Sequence, residues 1–102
     1  MTVRHRLPDR RACETFGFEI DGLHYTCSYC RFGDGTLAEL FLNNHKAGNA
    51  ADVNARDAAI SASFALQHGT DLDTLRGALS RDSHGNASGV LGAALDLIAR
   101  QG

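Results

Sequence analysis

The chain begins its regular patterning with two runs in which apolar and polar side chains alternate, which indicates half-buried strands. The apolar positions of these runs are Phe16, Phe18, Ile20, Leu23, Tyr25, Cys27 and Tyr29. Asp21-Gly22 lies between the runs. This dipeptide favours a type I′ turn, because both central residues of that turn need a positive φ. The sequence therefore predicts a β-hairpin in which Ile20 is paired with Leu23.

The turn also fixes which residues lie opposite each other along the hairpin. Counting outward from the turn places Phe16 opposite Cys27 on an apolar face. The pairs on the other, polar face are Glu19–His24, Gly17–Thr26, Thr15–Ser28 and Cys13–Cys30. Turn chemistry and the hydrophobic face thus predict the same register.

The register changes the interpretation of the three cysteines. Cys27 and Cys30 have CxxC spacing, but residues three apart on a strand point to opposite faces with Cα atoms about 10 Å apart. That distance is too long for a disulfide, which spans at most about 7 Å. Cys13 and Cys30 are the predicted neighbours, and Cys27 is predicted to be a buried thiol. In a reducing cytosol we expect Cys13 and Cys30 to remain reduced, unreactive thiols. Their oxidation to a disulfide is the alternative.

A third strand is predicted over residues 36–42, after a turn at Gly33-Asp34-Gly35. With a four-residue loop the strand contributes Ala38, Leu40 and Leu42 to the core. With a three-residue loop it contributes Leu37 and Phe41. The pattern leaves both registers open, and it implies that the second apolar face is covered by a loop, a helix or a second copy. A homodimer through residues 36–42 is therefore one expectation.

The second half of the chain follows a helical period. The first predicted helix covers Ala50–Gln67, and its two apolar stripes indicate packing on more than one side. The second begins after a cap at Thr70 or Asp71 and runs to about Arg81, and the last covers Val90–Arg100. Three strands followed by three helices predict an α+β fold, a three-stranded antiparallel meander with the helices packed on one face.

Length and composition limit the class of protein. A chain of 102 residues with 43% hydrophobic and 22% charged residues is expected to form one folded domain. Apolar runs are too short for a membrane span, and the amino terminus does not resemble a signal peptide. With only three cysteines, these features predict a cytoplasmic protein.

Charge divides the chain into two parts. The net charge is −2, but residues 1–11 carry +3 because they hold four arginines and one aspartate, and the remainder carries −5. We expect a basic arm over residues 1–11 and a single domain over residues 12–102. The acidic body argues against nucleic acid as the partner, although the arm could contact an acidic or phosphate-bearing one.

Two loops carry the residue types that bind small ligands. One lies between the third strand and the first helix, where a helix amino terminus favours an anion, and the other precedes the last helix. The candidate ligand-binding residues are Asn44, His45, Lys46, Arg81, His84 and Ser88. No spacing requires a catalytic constellation, so we assign no catalytic residue, no metal ligand and no cofactor.

Several short segments also follow one another in a distinctive order. They are Leu23-His24-Tyr25-Thr26, Leu37-Ala38-Glu39-Leu40-Phe41-Leu42-Asn43, Lys46-Ala47-Gly48 and Ala65-Leu66-Gln67-His68-Gly69-Thr70-Asp71-Leu72. Over about residues 12–99 this order resembles the TSCPD domain, found toward the carboxyl terminus of adenosylcobalamin-dependent ribonucleotide reductases and as small standalone bacterial proteins. The motif that names the family is incomplete, because Ser88-Gly89-Val90-Leu91 keeps the serine without the cysteine, proline and aspartate.

The resemblance implies a noncatalytic accessory or regulatory role in ribonucleotide reduction, and hence in nucleotide metabolism and DNA synthesis. Family transfer would suggest ribonucleoside-diphosphate reductase activity, but a chain of this length cannot house the barrel and radical cofactor of that reaction. The implied partners are a ribonucleotide reductase or a nucleotide. The alternative is a homodimeric protein-interaction module of unrelated role.

Overall fold

Three antiparallel strands follow one another along the chain and lie side by side in the same order. They are β1 (Cys13–Ile20), β2 (Leu23–Arg31) and β3 (Leu37–Asn44). The computed structural model describes residues 12–101, so the basic arm predicted over residues 1–11 lies outside the described residues. The predicted meander is confirmed.

The β1–β2 hairpin has the predicted turn and register. Asp21 and Gly22 both adopt positive φ angles, of 54° and 76°, as a type I′ turn requires. Ile20 is paired with Leu23, and the register continues without interruption to Cys13 and Cys30. The apolar face predicted for the hairpin is the face that meets the helices.

The register of β3 answers the question that the sequence left open. Leu40 lies opposite Tyr29, so β3 directs Leu40 and Leu42 toward the core, whereas Phe41 is 46% exposed. A bulge between Cys30 and Arg31 then shifts the pairing, and Leu37 and Ala38 are both buried. Because a bulge changes which side chains face inward, no strict alternation could have predicted this end of the strand.

Three helices follow the sheet: α1 (Ala50–Gln67), α2 (Leu72–Ala78) and α3 (Val90–Arg100). The bounds of α1 and α3 are those predicted, but α2 ends before Arg81, where the prediction placed its end. Leu79 is extended, with φ −87° and ψ 156°, and Arg81 forms an antiparallel bridge with Ala87. That bridge needs an extended backbone, which stops the helix. None of the helices within residues 12–101 has the length and apolar character to span a membrane.

The core lies between the inner face of the sheet and the helices. Its buried members are Tyr25, Cys27, Tyr29, Leu37, Leu40, Leu42, Ala55, Ala59, Ala62, Leu66, Ala94, Leu95 and Ile98. The alanines of α1 have short side chains, which lets this helix approach the sheet closely. The sequence predicted that both apolar stripes of α1 pack against other elements. The stripe formed by Val53, Ile60 and Phe64 does not, since these side chains are 45–50% exposed.

Helix α1 also closes the outer edge of β3. Ser63 Oγ accepts a hydrogen bond from Leu40 N and donates one to Leu40 O, both at 3.0 Å. Gln67 Nε2 donates to the carbonyl of Ala38 at 3.2 Å. An unpaired strand edge invites pairing with another chain, and these side chains occupy the groups that such pairing would use. A homodimer through β3 would therefore have to use the face that carries Phe41.

Candidate functional site

The loop between β3 and α1 is organised by the side chain of Asn44. Asn44 is buried, and its Oδ1 accepts hydrogen bonds from Lys46 N at 2.9 Å and from Asn49 Nδ2 at 3.4 Å. Asn49 in turn caps α1, since its Oδ1 accepts from Asp52 N at 2.7 Å. Of the three candidates in this loop, Asn44 thus shapes the backbone, while His45 and Lys46 are exposed.

The carboxylate of Asp52 lies in the first turn of α1, at the helix amino terminus where a ligand anion was expected. Its Oδ2 accepts from Gly48 N at 2.9 Å and its Oδ1 from Asn44 N at 3.0 Å. These two hydrogen bonds hold the pKa of Asp52 below its ordinary value. A negative charge is favourable at a helix amino terminus, and here Asp52 supplies it. A ligand anion at this loop would therefore depend on Lys46 and the histidines more than on the helix terminus.

His45 meets His24 on the polar face of the sheet. The two rings stack with their centroids 5.7 Å apart, and His45 Nε2 lies 3.4 Å from Thr26 Oγ1. His24 Nε2 lies 3.2 Å from Glu19 Oε1, across the pair that the hairpin register predicted. The pairing of β2 with β3 brings His24 beside His45. The sequence left the register of that pairing open, so it could not add His24 to the candidates.

The loop before α3 is held by an arginine–aspartate pair. Arg81 donates to Asp96 through Nη2 at 2.8 Å and Nη1 at 2.9 Å, and Nη1 also reaches Gly85 O at 3.0 Å. Asp96 also accepts from Arg76 Nε at 2.8 Å. The arginines hold the pKa of Asp96 far below its ordinary value, with Arg81 the larger cause. Arg81 therefore anchors the loop.

The other two candidates of this loop have different surroundings. His84 is exposed at the tip of the loop, where its backbone N–H donates to Asp82 Oδ1 at 2.9 Å. Ser88 donates its backbone N–H to Ser80 O at 2.9 Å. Within residues 12–101, no hydrogen bond or ion pair joins this loop to the loop of His45 and Lys46. The six candidates therefore lie in two loops that are not bonded to each other.

The cysteines are placed as the hairpin register requires. Cys13 and Cys30 have Cα atoms 4.1 Å apart and are joined by a disulfide, and Cys27 is free. The expectation that Cys13 and Cys30 remain thiols is therefore wrong, and the alternative, a disulfide between the register neighbours, is the observed state. Burial raises the pKa of the Cys27 thiol to about 12. No cluster of three or more His, Cys, Asp or Glu side chains that could hold a metal ion occurs in the part of the chain that the structure describes.

A large cleft lies where the sequence carries no signal. It has a volume of about 750 Å³ and lies between the β2–β3 turn and the link from α1 to α2. Its lining includes apolar residues (Phe32, Leu37, Leu66, Leu72) and charged ones (Arg31, Asp34, Asp71, Asp73). These residues are far apart in the chain, so only the folded structure brings them together.

The exposed stripe of α1 is the second surface that the folded chain presents. Val53, Ile60 and Phe64 are spaced by seven and four residues, so they lie on one side of the helix. We call these three residues the α1 stripe. Large apolar side chains that follow one another along an exposed helix face are typical of a protein-interaction surface.

Comparison with known proteins relates the chain to one enzyme. No protein-family model and no solved structure matches it. The vitamin B12-dependent ribonucleotide reductase of Bradyrhizobium diazoefficiens is 34% identical over 73 residues, which are 72% of this chain and 6% of the reductase. The reductase of the same name from Agrobacterium fabrum is 34% identical over 70 residues, which are 69% of this chain and 6% of the reductase. The chain is thus related to a short segment of vitamin B12-dependent ribonucleotide reductase.

Proposed function

We propose that the chain is a noncatalytic accessory domain of the TSCPD type that binds a vitamin B12-dependent ribonucleotide reductase. The similarity to a segment of that enzyme in two organisms supports the connection with ribonucleotide reduction. The chain matches only 6% of each reductase, so the function we assign is association with the enzyme and not its reaction.

The observation that carries this proposal is the α1 stripe. In the longer reductases the related segment is part of a far larger chain, against which an apolar helix face can pack. Val53, Ile60 and Phe64 offer aliphatic and aromatic groups at the spacing with which a helix inserts into an apolar groove. A few side chains buried in well-packed pockets at the centre of an interface supply much of its binding energy.

The test is binding of the intact chain to the purified vitamin B12-dependent reductase of its own source organism, measured by biolayer interferometry. Ile60→Glu and Phe64→Glu should each weaken binding by about tenfold or more, because a charge is driven into an apolar contact. Leu23→Glu is the matched control, since Leu23 is 42% exposed but lies beside the hairpin turn. Equal weakening by all three variants, or no binding by the intact chain, would contradict the proposal.

Nucleotide binding at the loop of Asn44, His45 and Lys46 is the second candidate, with Asn44 shaping the loop and His45 and Lys46 exposed to the ligand. It is favoured by the stacked rings of His24 and His45, with the chain's only lysine next in sequence. A nucleotide at a hundredfold its Kd should stabilise the chain by about 2.7 kcal/mol in a thermal-shift titration. Lys46→Ala should remove that shift. If no ribo- or deoxyribonucleotide shifts the melting temperature, nucleotide binding is excluded.

A homodimer is the alternative use of the exposed apolar residues. Phe41 is exposed on β3, and a second copy could cover it together with the face around it. Light scattering at micromolar concentration should then give twice the mass of 10.9 kDa. A monomer at that concentration would exclude the homodimer and leave the reductase proposal intact.

A further inference from the structure

We propose that the Cys13–Cys30 disulfide is a site of thiol–disulfide exchange, which takes two electrons from a dithiol and thereby releases the first residues of β1 from β2. The co-reactant is a dithiol because its second thiol resolves the mixed disulfide that the first one forms. The exchange is independent of the reductase proposal, since it concerns the β1–β2 hairpin and not the α1 stripe.

The two cysteines of the disulfide differ in their exposure. Cys13 is the first residue of β1 and is exposed, whereas Cys30 is only 6% exposed. A thiolate breaks a disulfide by attacking one of its two sulfur atoms, so the rate depends on access to that atom. We therefore expect attack at Cys13 Sγ, with Cys30 Sγ as the leaving group.

The exchange balances in two steps. The first thiolate of the dithiol bonds to Cys13 Sγ, the bond between Cys13 and Cys30 breaks, and Cys30 Sγ takes up a proton. The second thiolate then attacks the sulfur of the dithiol in this mixed disulfide and displaces Cys13 Sγ, which is protonated in turn. The chain gains two electrons and two protons, and the dithiol becomes a disulfide.

The hairpin does not need the disulfide to set its register. The turn at Asp21 and Gly22 starts a ladder of eight residue pairs, of which Cys13–Cys30 is the last. Phe16, Phe18 and Ile20 pack against the core from β1. Because turn and core hold most of β1, we expect the chain to keep its fold after reduction.

The end of β1 is the part that the disulfide holds in place. Ala12 O accepts a hydrogen bond from Arg31 N at 2.9 Å, and Glu14 Oε2 accepts one from Tyr29 OH at 2.6 Å. Residues 12–15 are exposed, so little buried surface keeps this end on β2. Exposed strand ends open at low cost in free energy. Breaking the covalent link should therefore free Ala12, Cys13 and Glu14 first.

The test is reduction of the folded, intact chain with dithiothreitol at pH 8 without denaturant, followed by alkylation and peptide mapping. We expect new thiols at Cys13 and Cys30 in equal number, with an unchanged circular dichroism spectrum. Resistance of the folded chain to reduction, or loss of the native spectrum on reduction, would overturn the proposal.

Two single variants test which sulfur atom is attacked. Cys30→Ser keeps the thiol of Cys13, and Cys13→Ser keeps that of Cys30, so each variant is the control for the other. With oxidised glutathione, Cys30→Ser should form a mixed disulfide about tenfold faster, because access to the thiol sets the rate. Equal rates would contradict attack at Cys13.

The release of β1 is tested by backbone NMR relaxation of the oxidised and the reduced chain. On reduction, the order parameters of the Cys13 and Glu14 amides should fall from about 0.85 to below about 0.6. Those of Phe18 and Tyr25, which are paired near the turn, should stay unchanged. Unchanged values at Cys13 and Glu14, or a fall along the whole hairpin, would refute a release confined to the end of β1.

Discussion

At the scale of single residues, the cysteines show how strand geometry separates chemical roles. The CxxC spacing of Cys27 and Cys30 invites a redox or metal interpretation. The strand instead directs Cys27 into the core and leaves Cys30 beside Cys13 on the other face. Turn chemistry and alternation are local properties, so this arrangement could be predicted from the sequence.

The three cysteines should therefore react differently with an alkylating reagent at pH 8, followed by mass spectrometry. The native, unreduced chain should incorporate no label, because Cys27 is buried with its pKa raised to about 12 and the other two are joined. Unfolding without reductant should add one label, at Cys27, and reduction should raise the number to three. Rapid labelling of Cys27 in the native chain would contradict its burial.

Asp96 is the residue on which the α3 side of the molecule depends most. It accepts hydrogen bonds from both Arg76 and Arg81, so its loss frees two guanidinium groups at once. Asp96→Asn should lower the free energy of unfolding at pH 7 by about 1–2 kcal/mol, measured by urea denaturation. Asp57→Asn, on the exposed side of α1, is the control for losing an acidic charge and should change it little.

The low pKa of Asp96 also predicts how stability depends on pH. The pKa is lower in the folded chain than the value of about 3.9 expected after unfolding, so acid favours the unfolded state. The contribution of Asp96 should be fully present above about pH 5 and decline as the pH falls below 4. Asp96→Asn should flatten the stability curve in that acid range, and an unchanged slope would contradict the assignment.

At the scale of elements, the contact between α1 and β3 is the part of the fold that sequence patterns could not predict. Ser63 and Gln67 are polar positions on a helix, and polarity alone indicates a solvated face. In the structure both are buried, where they bond to the backbone of β3. Such pairing depends on how two distant segments meet, which hydrophobic periodicity does not encode.

Replacing Ser63 tests this edge closure. Ser63→Ala leaves the N–H and the carbonyl of Leu40 without their side-chain partner, and an unsatisfied buried group costs about 1–3 kcal/mol. We expect a loss of that size in urea denaturation. Ser61→Ala is the matched control on an exposed position of the same helix and should cost much less. Equal losses would show that helix propensity, rather than edge closure, accounts for the effect.

The candidate site was less predictable than the fold for the same reason. His45 and Lys46 are exposed as a binding role requires, but the sequence did not associate His24 with them. Asn44 and Arg81 have the residue types of ligand-binding groups, yet both make intramolecular bonds that shape loops. Residue type identified the polar loops, and only the folded contacts separate structural from exposed side chains.

At the scale of the whole molecule, the described surfaces are assigned different partners. The polar loop is proposed for a nucleotide, and the α1 stripe for a reductase. The relation to a segment of vitamin B12-dependent ribonucleotide reductase makes the last of these the central claim. The side chains of the α1 stripe are half exposed in the isolated domain. A larger partner that buried them would gain binding free energy in proportion to the apolar area removed from water.

The most direct measurement is a calorimetric titration of the intact chain into the purified reductase of its source organism. We expect saturable binding with a negative heat-capacity change, the signature of buried apolar surface, and weaker binding by Ile60→Glu than by Leu23→Glu. Heats indistinguishable from dilution, with a chain shown to be folded, would contradict the account.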